Sequence, residues 1–362
     1  MTAHPLANSA RALPAMGGDL PRLTSLRAFA AGAVFLYHAA RYTPWAPFRE
    51  IALGGFAGVG FFFVLSGFVL TWSTGPSVTS RQFWRRRVAR IYPSHVVMAL
   101  VALLAPVVAY PPTPTAAAAN LALVQAWFVD WAVIFGLNGV SWSLSCEAFF
   151  YLLTPFMLRA LRPRPTALVV AVVGSWWAFA SVILLAASRS GTSDITAYVN
   201  PATRSGEFAL GCLLAILVQR GWRPRVPLLA ATALVVLLWP VVGVAALPQS
   251  AATALLALPF AALVLAAALA DLQGRPGRLR SRTLVYLGQV SFAFYLVHEL
   301  VLLNLTPRLG TAWSRPIGYV LLAVLGLVAL AAAMALHHGV EKPMQVLIRG
   351  RRPSAPVLSD GA

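Results

Sequence analysis

Runs of mostly apolar residues, each long enough to cross a bilayer, follow one another along this chain with little between them. A spanning helix needs about 20 such residues, and the runs fall at 25–42, 54–73, 93–110, 141–158, 167–187, 204–219, 226–247, 251–270, 284–304 and 316–338. In lipid every backbone N–H and C=O must be satisfied within the segment, so each run is expected to be a helix. The predicted fold class is therefore all-α, a polytopic membrane bundle of about ten transmembrane helices. Composition agrees: 59% of the 362 residues are hydrophobic and 10% are charged, against about a quarter charged in soluble domains.

A further segment, 119–136, is fairly apolar but contains Asp130 and two tryptophans. The basic residues decide against it as a span. With ten spans and the N-terminus inside, 22 basic residues lie on the inner side and six on the outer (Arg41, Arg49, Arg189, Arg204, Arg308 and Arg315). A spanning 119–136 would invert every later Arg burst, against the bias of basic loops toward the cytoplasm. Both termini are thus expected in the cytoplasm, with 111–140 an outer or re-entrant segment.

Formal net charge is +18, but the basic residues are dispersed in short loops between spans rather than clustered on a soluble fold, so a nucleic-acid partner is not expected. The two cysteines, Cys146 and Cys212, sit inside apolar runs with no disulfide or metal-ligand spacing. No metal site is expected. The chain divides into an N-terminal cytoplasmic tail at 1–22, a membrane domain at 23–345 and a C-terminal cytoplasmic tail at 346–362, both tails expected to be disordered. The first 22 residues lack an apolar core, which points to the first span as the signal anchor.

Ionisable side chains inside spans cost free energy and mark function by default. Here they are His38, His95, Glu147, Glu207, His298 and Glu299. His38 and Arg27 lie eleven residues apart on the first span, hence on one face with a rise of ~16 Å between them. They could line one channel from opposite ends; a snorkelling arginine and a packed histidine is the plainer alternative. Glu147 shares a stripe with Ser143 and Tyr151 at i, i+4 spacing, at a depth that leaves a pair with His38 open; a structural pair with an arginine would also satisfy it. Arg87 and Arg90, three apart, present two guanidinium groups on one face, suited to a phosphate-bearing ligand in the cytoplasm, although ordinary positive-inside charge accounts for most of that burst. Arg204 and Glu207, i and i+3, read as a local ion pair. Of His298 and Glu299, about 100° apart on a helix, His298 is expected to face inward.

Together these segments resemble the membrane acyltransferase-3 family. The resemblance is carried by Arg27-x10-His38, by Gly60-Phe-Phe-Phe-Val-Leu-Ser66-Gly67-Phe, by Arg87-x-x-Arg90-Ile-Tyr-Pro, and by Ser141-Trp-Ser-Leu-Ser-Cys-Glu147-Ala-Phe-Phe-Tyr151. Thr203-Arg-Ser-Gly-Glu207-Phe-Ala-Leu-Gly211, Tyr295-Leu-Val-His298 and Glu341-Lys-Pro343 follow in the family's order. It covers about 22 to 345 and departs at Ala148, where the family often has a second acid, so Glu147 must act alone.

The resemblance implies transfer of an acyl group, usually acetyl from acetyl-CoA, to a sugar hydroxyl of a surface polysaccharide or a glycosylated natural product such as a macrolide. The Arg- and Ala-rich composition fits the actinomycete kind. On that reading acyl-CoA is a co-substrate, no cofactor is bound, and the chain resides in a bacterial plasma membrane. Arg87 and Arg90, helped by Arg27, would dock acyl-CoA. His38 would be general base, with Glu147 orienting the imidazole; Ser143, Tyr151, Arg204, Glu207 and His298 would support them. Asn138 and the Ser141–Ser145 stretch are candidate oxyanion donors. A non-enzymatic exporter of a polysaccharide or acylated product is the competing reading.

Overall fold

A computed structural model describes residues 18–43, 48–105, 107–310 and 315–349. Among these residues there is no strand. Ten long helices coincide with the ten apolar runs: α1 Pro21–Tyr42, α2 Gly58–Ser73, α3 Ser80–Leu104, α4 Trp142–Leu161, α5 Thr166–Ala187, α6 Pro201–Gln219, α7 Leu228–Val244, α8 Gln249–Leu272, α9 Arg282–Leu309 and α10 Arg315–Leu336. A short α11, Lys342–Arg349, ends the described chain. Eight helical segments are long and apolar enough to cross a membrane. The two outside that set are α1, whose hydropathy is lowered by Arg27 and His38, and α7, which is 17 residues long.

Burial is distributed as lipid solvent requires. The central helices α2, α6 and α8 bury most of their residues, whereas α5 and α10 present apolar side chains outward, among them Phe179, Val182, Val320 and Leu327. At the centre, α2 and α6 touch backbone to backbone: a Cβ on Gly67 would collide with the carbonyl of Phe208, and one on Gly211 with that of Val64. These are two of the glycine positions in the sequence motifs, and small residues are what let membrane helices approach so closely. A similar approach joins α1 to α9, where a Cβ on Gly288 would strike the carbonyl of Thr24.

Some expected boundaries move. The tail at 1–22 was expected to be disordered, yet α1 begins at Pro21 and Arg22 is buried, its backbone N–H and guanidinium both bonded to the Asp271 carboxylate at 2.8 and 2.6 Å. At the other end, 346–349 are helical; residues 1–17 and 350–362 of the expected tails lie outside the described residues. The third span starts well before residue 93. Thr79 and Gln82 form a reciprocal capping box, so arginines 81–90, good helix formers, lie on α3 rather than in a loop.

The segment 119–136 is not a spanning helix. It consists of helix Pro114–Leu121, a 3-10 turn Gln125–Trp127 and a single turn Trp131–Ile134. Irregular backbone of this kind needs protein partners, and buried side-chain amides supply them. Asn120 donates to the Gly136 carbonyl (3.2 Å) and to Ser141 Oγ (2.8 Å), Gln125 donates to the Ser141 carbonyl (2.9 Å), and His95 Nε2 bonds the Asn120 carbonyl (2.9 Å).

Candidate active site

Two neighbouring cavities in the described bundle are lined by the ionisable residues of the spans. The larger, of about 200 Å³, is lined by His38, Tyr37, Arg41 and Tyr42 of α1, by Glu299 and Tyr295 of α9, and by Gln249 at the start of α8. Tyr110, Trp131 and Phe135 of the irregular segment close its far side. The smaller, of about 40 Å³, is lined by Arg27, Glu147, Ser143 and Ser291. Val59 and Tyr295 line both and stand between them.

His38 is held by α9. Its Nδ1 lies 2.8 Å from His298 Nε2, and its Nε2 lies 3.7 Å from Glu299 Oε1. The tautomers follow from one contact. His298 Nδ1 is 3.1 Å from the Phe294 carbonyl, which can only accept, so that nitrogen carries the proton and His298 Nε2 is an acceptor. With both rings neutral, His38 Nδ1 donates to it and His38 Nε2 is left as the lone pair beside Glu299. The Glu299 carboxylate accepts from the Tyr42 hydroxyl at 2.7 Å. Its other oxygen packs against Gly139 and has no partner. An imidazole so placed can take a proton from a hydroxyl in the larger cavity and find a carboxylate waiting for the resulting charge.

This corrects the pairing expected between His38 and Glu147. Glu147 sits at the smaller cavity, where its Oε2 accepts from the Tyr151 hydroxyl at 2.5 Å. Arg27 lines the same cavity. The carboxylate beside His38 is Glu299, which sequence reasoning missed in favour of its neighbour His298; both are buried and both face α1. Its signal was present, since it is one of six ionisable residues within the spans. Arg27 donates to Ser291 Oγ at 3.2 Å, and Arg90 contacts the Glu341 carboxylate.

Ser143 bonds the Tyr295 hydroxyl at 2.9 Å, tying α4 to α9 between the two cavities. Asn138 spends its amide N–H on the Leu296 carbonyl, and Ser141 donates to the Asn138 carbonyl, so neither is aimed at the larger cavity as an oxyanion donor. Arg204 and Glu207 form the predicted local pair, Nε to Oε2 at 2.6 Å. The guanidinium is almost fully buried among the rings of Tyr198, Phe63 and Trp142, at 4.6, 4.9 and 5.8 Å. Cys146 is buried, its thiol directed at the Val199 carbonyl.

The sequence model of a family described as an acyltransferase domain matches residues 20–336. The chain belongs to the acyltransferase-3 family. As a member it is a multi-pass membrane acyltransferase. The acyltransferase MdmB of Streptomyces mycarofaciens is 37% identical over 374 aligned residues, covering 93% of this chain and 94% of that protein. The peptidoglycan O-acetyltransferase OatA of Listeria monocytogenes is 32% identical over 217 residues, 54% of this chain and 33% of that one. The O-acetyltransferase OatA of Staphylococcus aureus is 29% identical over 230 residues, 57% and 35%. This chain thus spans about a third of the length of the two OatA proteins. No solved structure matches it.

Proposed function

We propose that this protein is an O-acyltransferase of the bacterial plasma membrane, crossing it ten times with both ends in the cytoplasm. It moves an acyl group, acetyl foremost, from cytoplasmic acyl-CoA to a sugar hydroxyl. The observation that carries this reading is His38, which lines the larger cavity with its Nε2 3.7 Å from a Glu299 carboxylate oxygen. Donor phosphates would sit on Arg87 and Arg90, and the flexible thioester arm would cover the ~16 Å rise from Arg27 to His38. The Tyr295–Ser143 bond lies across that route and must yield for the arm to pass.

His38 Nε2 takes the acceptor's proton as its oxygen attacks the thioester carbonyl. The imidazolium, neutralised by Glu299, returns that proton to the departing thiolate as the tetrahedral intermediate collapses. Transfer is direct, because Cys146 does not line the cavity. A glycosylated natural product is favoured as acceptor over peptidoglycan, since similarity to the Streptomyces acyltransferase is end to end and that to the OatA proteins is partial. A volume of about 200 Å³, below the ~300 Å³ at which sites for drug-sized ligands begin, admits a single sugar and leaves the rest of the molecule outside.

The test is thiol release by the purified protein from radiolabelled acetyl-CoA with candidate acceptors, and mass spectrometry of the product. His38→Ala should abolish turnover with donor binding retained. Turnover by that variant would refute the base assignment, and substrate movement without thioester cleavage would favour an exporter.

A further inference from the structure

At its inner end α10 does not run straight into α11. Residues 337–341 form a π-turn, one residue wider than an α-turn. Pro343 accounts for it. A proline two residues into the next helix lacks an N–H and its ring would crowd the carbonyl four residues back, at Gly339; the wider turn relieves both. The turn also lays His337 and Glu341 side by side, both buried, with His337 Nδ1 2.8 Å from Glu341 Oε2. Gln345 donates to Glu341 Oε1 at 3.1 Å, and Arg90 Nη1 contacts the same oxygen.

The pair is lopsided. The Glu341 side chain is fully buried, while that of Arg90 is 21% exposed. Here the carboxylate is sealed behind the guanidinium, held from the other side by His337 and Gln345, and one of five guanidinium N–H donors is bound to it. The ring of Phe292 lies 5.7 Å from the guanidinium carbon. Phe292 also lines the smaller cavity with Arg27, Ser291 and Glu147, so one aromatic ring separates Arg90 from that cavity.

We propose that Glu341, clamped by His337 in the π-turn, is a positioning residue that fixes Arg90 to receive the phosphates of the acyl donor. This rests on the acyl-CoA reading given above. It assigns to the Glu341-Lys-Pro343 motif a role in donor capture on a helix that contributes nothing to the His38 site.

The experiment compares two donors, acetyl-CoA and acetylpantetheine, which lacks the phosphate-bearing nucleotide, on the wild type, Glu341→Gln and Glu341→Asp. Glu341→Gln should raise the KM for acetyl-CoA about tenfold with kcat unchanged, the mark of lost ground-state binding. Its KM for acetylpantetheine should not move, and Glu341→Asp should recover part of the acetyl-CoA affinity. Equal effects on both donors, or a folded Glu341→Gln protein with wild-type KM for acetyl-CoA, would overturn the proposal. Failure of the wild type to cleave either thioester would instead overturn the donor reading, and this inference with it.

Discussion

Replacing Glu299 by glutamine isolates the electrostatic work of the site. Glutamine keeps the volume, and its carbonyl can still accept from Tyr42, so what is lost is a negative charge 3.7 Å from His38 Nε2. At an effective dielectric constant of 20, opposite unit charges at that distance attract by ~4 kcal/mol. The ground state, with neutral His38, gains little from this; the transition state, with an imidazolium forming, gains nearly all of it. At about 1.4 kcal/mol per decade the full term is a factor of roughly 10³ in kcat, and the residual amide dipole returns part of it, so the expected loss is roughly 10²–10³-fold. Initial rates of thiol release in lipid nanodiscs, with donor and acceptor each varied, measure it. KM values should stay within about threefold of wild type, because the charge acts on the transition state. A Glu299→Gln enzyme with kcat within about threefold of wild type, beside an inactive His38→Ala, would refute the assignment of charge stabilisation to Glu299.

Three further outcomes follow from the geometry. Arg204→Leu strands the buried Glu207 carboxylate and should destabilise the detergent-solubilised protein by ~3–5 kcal/mol, whereas Arg204→Leu with Glu207→Leu should recover most of the melting temperature; equal losses in both would show that the ion pair is not what is being read. Asn120→Ala removes two bonds that fix the irregular segment, worth ~1 kcal/mol each, and should speed hydrogen exchange at 119–136 while raising the acceptor KM and leaving the donor KM alone. Because Cys146 and Cys212 are buried, single cysteines introduced at Arg164 and Arg189 should react with an impermeant maleimide from opposite faces of the cell membrane, Arg164 from the cytoplasm; labelling of both from one face would refute the ten-span topology.

Much of the fold was legible because lipid imposes a simple rule, and ten apolar runs became ten helices. What misled was local. The apolar run marks the third span only from residue 93, because the arginines at 81–90 lower its hydropathy, yet they favour helix and the capping box at Thr79 starts one. The segment 119–136 was placed outside the spanning set by charge balance, and the amides of Asn120 and Gln125 are the physical reason it can stay irregular. For the site, sequence identifies which polar residues lie within spans but not how helices are rotated about one another. Depth alone matches His38 with Glu147, whereas the rotation of α9, seated on α1 at Gly288, brings both His298 and Glu299 to α1. The π-turn that presents Glu341 to Arg90 was marked only by a proline.

The backbone contact at Gly288 has a mechanical corollary. His38 rides on one member of that closely fitted pair and its two polar neighbours on the other, and rods locked by a backbone-to-backbone seat cannot slide past each other without losing it. The proton-transfer geometry is therefore built in before any substrate arrives. Admission of the acceptor proposed above then falls to parts outside that seat. The side of the cavity at Trp131 and Phe135 is held instead by the amides of Asn120 and Gln125, with no backbone seat of that kind. Changes in which acceptor is taken should accumulate there, while the machinery behind it stays fixed.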